Sequence, residues 1–180
     1  MKRCLPALAG LLTAAAQHGA SAQGAQEVQV VTDRHLRSRP VGRQRLVFIE
    51  SRRTSVAPTQ GIRTPAGTVR VSTPEMTMLD LVAHPARAGG WSNIASLLSD
   101  LAEGTSRAGW RDALTVEPAT PQVQRLGHLL DRVEAPHTDP LVAWLKGRRH
   151  DVVPLVPGGS RVGEIDRRWG VVPDPAVQPD

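Results

Sequence analysis

A chain of 180 residues, 40% of them hydrophobic, is long enough to bury one proper core. One Phe and no Tyr argue against aromatic platforms for single-stranded bases, and a single cysteine, Cys4, excludes an internal disulfide framework and a cysteine-based zinc site. The net charge of +5 rests on arginine, since only Lys2 and Lys146 are lysines; arginine suits bidentate contact with phosphate or carboxylate, so a nucleic-acid or acidic-protein partner is allowed but not required.

The first segment supports two readings. Lys2-Arg3, the apolar run from Leu5 to Ala16 and the small residues Ala20-Ser21-Ala22 fit a secretory signal peptide spanning residues 1–22. The same residues also fit an amphipathic helix with Leu5, Leu8, Leu12 and Ala16 facing a core and Gly19 stopping it. No other stretch is long and apolar enough to span a membrane. Val28 to Thr32 then reads as a strand, Asp33 to Arg45 as an arginine-dense connection with a turn at Pro40 and Gly42, and Leu46 to Glu50 as a second strand. Val56 to Arg63 is a short strand interrupted by Pro58. A turn over Thr64 to Gly67 delivers the chain to a strand at Val69–Val71.

The most strongly specified local structure follows. Ser72 and Glu75 have capping-box spacing; alternatively Thr73 is the cap and Pro74 takes the first helical position. Met76, Leu79 and Val82/Ala83 give the apolar face of that helix, which Pro85 and Gly89-Gly90 end. The second half reads as helices over Asn93–Glu103 (Ser92 as cap), Arg107–Val116, from Thr120 to Val133, and from Thr138 or Asp139 to the Arg148-Arg149-His150 cluster. Gly127, inside the third, costs about 1 kcal/mol relative to Ala and implies the close approach of another element. Val152–Val156 and Trp169–Val172 read as short extended runs, and the tail from Pro173 as frayed. The expected architecture is one α+β unit over residues 1–180: an N-terminal helix, a small antiparallel or mixed sheet, then a mainly helical half.

Catalytic signatures are scarce. There is no phosphate-binding GxxxxGK[ST] loop, no GxGxxG after a strand and no GxSxG elbow. None of the six histidines stands at i, i+4 from another on a plausible helix. Asp80, Asp100, Glu103 and Asp112 are the carboxylates a metal-dependent nuclease would need, but Asp80 reads as the solvent-facing side of its helix. The clearest electrostatic feature is the run of Arg34, Arg37, Arg39, Arg43, Arg45, Arg52 and Arg53, seven arginines against one acid, Glu50. On adjoining strands they would form a positive face that grips phosphates without reading bases, or meets an acidic protein; the plain alternative is a solvated edge that resists aggregation.

The stretches LLTAAAQHGAS, VVTDRHLRSRPVGRQRLVF, TPAGTVRVSTPEMTMLDLVAHPARAGG, QRLGHLLDRV and RWGVV, in this order within a core of about residues 5–172, resemble the C-terminal domain of AbiEi-type antitoxins of bacterial abortive-infection, type IV toxin–antitoxin systems. The resemblance implies a non-enzymatic antitoxin or transcriptional-regulator domain, without the family's N-terminal winged helix-turn-helix. It implies no catalytic residue, metal, membrane or small-molecule cofactor, and a partner that is a cognate nucleotidyltransferase-like toxin or operator DNA phosphates. It also matches LLTAAAQHGAS to the domain's first helix, which favours a cytoplasmic location over secretion.

Overall fold

The computed structural model describes residues 7–20, 27–65 and 67–178. Cys4, Lys2-Arg3, Leu5 and the Ser21-Ala22 part of the proposed cleavage site lie outside these. The described residues form a mixed six-stranded sheet on which helices are packed, and a second sheet of two short strands. The elements in order are β1 (Ala7–Ala9), α1 (Leu11–Gln17), β2 (Glu27–Thr32), β3 (Arg39–Val41), β4 (Gln44–Glu50), β5 (Thr59–Thr64), β6 (Gly67–Ser72) and α2 (Pro74–Ala83). After a 3₁₀ turn at Pro85–Arg87 come α3 (Trp91–Ala102), α4 (Arg107–Leu114), α5 (Thr120–Arg132), α6 (Asp139–Lys146), β7 (Val153–Pro154) and β8 (Val171–Val172).

The strand order is β3-β4-β2-β1-β6-β5, with β1 antiparallel to β2 and parallel to β6, and β2 parallel to β4. The expected N-terminal helix is therefore split. Leu8 lies in the strand β1, near the middle of the sheet, and the helix that follows buries Leu11, Ala14 and Ala15 while Ala16 is exposed. Three residues are too few to show an alternating pattern, which is why β1 is not visible in the sequence. The inner face of the sheet contributes Leu8, Val31, Val47 and Ile49 to a core that also takes Leu79 and Leu81 of α2, Leu98 of α3, Trp110 of α4 and Leu126 of α5.

At the strand–helix joint the cap is Thr73, whose Oγ1 accepts from Met76 N at 3.4 Å, with Pro74 in the first turn. Ser72 and Glu75 do not form a capping box. The Ser72 hydroxyl lies 2.7 Å from that of Thr77. The Glu75 carboxylate, 3% exposed, accepts from Ser106 N at 2.9 Å. Ser106 caps α4 by accepting from Gly109 N, so Glu75 places its charge at the N-terminus of that helix, where the helix dipole favours an anion. A Cβ at Gly109 would overlap the Glu75 carboxylate, so the glycine makes room for it. Helix α2 is buried on most sides, Met78 and Leu81 as well as Met76 and Leu79, while Ala83 is exposed. Helix α3 starts at Trp91 after Gly90, and the Ser92 hydroxyl donates to Ala176 O instead of capping.

Candidate functional site

The arginine-dense connection folds as a hairpin. The loop between Val41 and Gln44 holds only Gly42 and Arg43, and Gly42 takes φ 60 at its first position, as a two-residue hairpin turn allows. Pro40 sits on the edge strand β3, whose outer side needs no N–H. Arg34, Arg37, Arg39, Arg43, Arg45 and Arg52 are all exposed.

The pairing register divides these arginines between the two faces of the sheet. Arg39 stands opposite Leu46 and so shares the outer face with Leu46 and Phe48. Its guanidinium lies 5.9 Å from the centre of the Phe48 ring, and Arg37 joins it around a hollow of about 300 Å³ lined also by Ala7, Thr32 and Leu36. Arg45 stands opposite Pro40 and takes the side of Val47 and Ile49. Arg43 is at the tip of the turn. Arg34 lies 3.9 Å from Asp33, and His35 lies 3.7 Å from Glu50. The geometry is that of a positive ribbon with charge on both sides and at its tip.

Arg53 is set apart. It is half-buried and its Nη2 donates to Glu117 O at 3.0 Å, tying the segment after β4 to the chain between α4 and α5. Near it, Asp80 corrects the expectation of a solvent-facing carboxylate: it is half-buried, and burial pushes its pKa up to about 7, with the Arg53 guanidinium partly opposing. Burial also lowers the pKa of His84, and the charges of Arg87 and Arg53 act in the same direction. Because α2 carries core residues on most of its circumference, its polar positions are drawn under neighbouring segments. The folded chain therefore holds an extra proton on Asp80 between the ordinary 3.8 and about 7. The contribution of Asp80 to stability is expected to fall as pH rises through that window, while His84 acts in the opposite direction below its ordinary 6.5. Denaturant titrations at about pH 5 and about pH 8 check this; Asp80→Asn is expected to flatten the difference.

Among the described residues no three His, Cys, Asp or Glu side chains stand together as a metal site, Asp80, Asp100, Glu103 and Asp112 included. No helix there is long and apolar enough to cross a membrane. One polar pair invisible to sequence reasoning is His128 Nδ1 with Asp166 Oδ2 at 2.7 Å, across 38 residues; no local pattern links positions so far apart.

Residues 8–132 match the family described as "AbiEi antitoxin C-terminal domain". The match ends at Arg132, so the RWGVV stretch lies beyond it. No curated protein matches the chain. Among solved structures, the RV2827C protein from Mycobacterium tuberculosis is similar over 96% of this chain at 18% identity and a TM-score of 0.62, a likeness of fold. The chain spans 64% of that protein's length.

Proposed function

The chain belongs to the AbiEi antitoxin C-terminal domain family, and on that premise we propose that it is a non-enzymatic antitoxin and regulatory domain that holds DNA phosphates on its arginine hairpin. The observation that carries this reading is the exposure of Arg39, Arg43 and Arg45 on the hairpin at one edge of the sheet, none of them in an ion pair among the described residues although Glu27 neighbours Arg45 in the register. Arginine forks suit phosphate oxygens, and charge on both sides and at the tip of a ribbon suits backbone gripping more than base reading. Arg34, Arg37 and Arg52 add to the field around the ribbon. Arg53, engaged with Glu117, contributes through position.

A protein partner, such as the nucleotidyltransferase-like toxin implied by the family resemblance, would use the same charge against acidic groups. The working location in this reading is the cytoplasm. The test is binding to a 30-base-pair duplex of mixed sequence. Arg43→Glu/Arg45→Glu reverses two charges and is expected to weaken affinity by about a hundredfold at low salt, given the charge dependence of phosphate contacts, while circular dichroism stays native. Unchanged affinity removes the hairpin from the interface.

A further inference from the structure

The outer face of the six-stranded sheet is apolar where solvent meets it. On β2 the usual alternation is inverted. Gln29 points inward and is 3% exposed; its side chain accepts from Leu12 N and donates to Arg87 O, both at 2.9 Å. Val28 and Val30 point outward and are half-buried. The register continues this face: Leu46 and Phe48 lie beside Val28 and Val30, and Ile62 lies opposite Val69, which is 43% exposed. The sheet is mixed, with two parallel pairs, β1 with β6 and β2 with β4, and three antiparallel ones. Among the described residues, the small apolar cluster on this face receives only Ala14 from a helix.

The face is a groove of about 380 Å³ floored by Val28, Val30, Ile62 and Val69 and closed at one end by Thr13 and Gln17 of α1. At Ala7 it runs into the hollow beside Arg37 and Arg39. Neither arginine has a carboxylate partner among the described residues, because Asp33 and Glu50 face Arg34 and His35. The valines and isoleucine of the floor are uncharged, Arg70 also lines the groove, and Arg37 and Arg39 make one end positive. With the adjoining hollow at Phe48 of β4 included, it crosses five strands to β5, about 19 Å at ordinary strand spacing, the length of about 13 helical residues.

We propose that this face docks one amphipathic helix of a partner protein, its apolar side on Val28, Val30, Ile62 and Val69 and a carboxylate at the end that meets Arg37 and Arg39. The site shares Arg37 and Arg39 with the positive field of the hairpin but not its tip residues Arg43 and Arg45, and it does not depend on phosphate binding there.

The probes are two fluorescein-labelled helical peptides, about 16 residues long to cover the groove, with a leucine face and either glutamates or lysines at one end. Measured by anisotropy at one salt concentration, the glutamate peptide is expected to bind about tenfold or more tighter. Arg37→Glu/Arg39→Glu is expected to reverse that preference, and Val69→Asp to weaken both peptides about tenfold. Arg43→Glu/Arg45→Glu is expected to leave the glutamate peptide within about twofold, which separates failure here from failure of the phosphate reading. Val69 is exposed, so Val69→Asp is expected to melt like the parent; Arg37→Glu/Arg39→Glu is an independent second variant. Equal binding of the two peptides, or indifference to Val69→Asp, overturns the proposal. So does sedimentation as a dimer that Val69→Asp returns to monomer, which would assign the face to a second copy.

Discussion

A chain beginning at Gln23, as cleavage after Ala22 would leave it, is expected not to fold. The loss includes β1, the strand that joins β2 to β6. Without it the sheet falls into β3-β4-β2 on one side and β6-β5 on the other. The core would lose Leu8, Leu11, Ala15 and Ala20, all buried. Removing one buried leucine side chain costs about 2–5 kcal/mol, and the whole stability of a domain is about 5–15 kcal/mol. Polar ties go as well: Gln29 loses the N–H of Leu12 and the hydroxyl of Thr13, and the carbonyl of Ser72 loses the ring nitrogen of His18 at 2.7 Å. The expected result is loss of the cooperative thermal transition, with far-UV circular dichroism of a largely unfolded chain. Native-like melting of the shortened chain would contradict it. Intact mass of the expressed protein addresses the same point, because a mature chain starting at Gln23 would support secretion.

Gly127→Ala is expected to destabilise the protein although it improves helix propensity. In an isolated helix the change is worth about 1 kcal/mol in favour of alanine. Here a Cβ at position 127 would overlap the indole ring of Trp169. That ring is fully buried, and its Nε1 donates to Asp131 Oδ2 at 2.6 Å. The next residue on α5, His128, holds Asp166, so the segment that carries Trp169 is fixed to α5 on both sides of the ring. It has little freedom to move away. Overpacking of this kind costs about 1–3 kcal/mol, which for a chain of this length lowers Tm by roughly 2–10 °C. A Gly127→Ala variant that melts at or above the parent temperature would contradict the close approach.

The sequence was most legible where a local rule decided the outcome. The strand at β2, the Thr73-Pro74 entry to α2, the periodicity of α5 and the room required at Gly127 all follow from residues close in the chain, whereas Thr120 begins α5 without capping it. Elements set by distant partners were not visible. Ala7–Ala9 is a strand only because β2 and β6 flank it. Ser92 was an unused cap because Gly90 begins α3 and the hydroxyl finds Ala176. Glu75 has the spacing of a capping box but finds a better donor in Ser106, 31 residues on. Asp80 read as solvent-facing from its place on the helix, yet the fold half-buries it. Among the seven arginines, charge and clustering were plain in the sequence, whereas their distribution was set by register: one residue of alternation separates Arg39 from Arg45 by the thickness of the sheet. The outer apolar face left a trace in the run EVQVVT, whose glutamine lies inward and whose first two valines lie outward. That reversal can be read only once the inner side of the sheet is known.

The salt dependence of duplex binding tests the central claim most directly. If the hairpin arginines hold phosphates, the logarithm of affinity should fall linearly with the logarithm of salt concentration. With three or four contacts, affinity should drop by roughly 50-fold or more between about 50 and 200 mM. Arg43→Glu/Arg45→Glu should reduce the slope by about 2. A flat response to salt, or a slope that the two substitutions leave unchanged, would contradict phosphate binding by the hairpin.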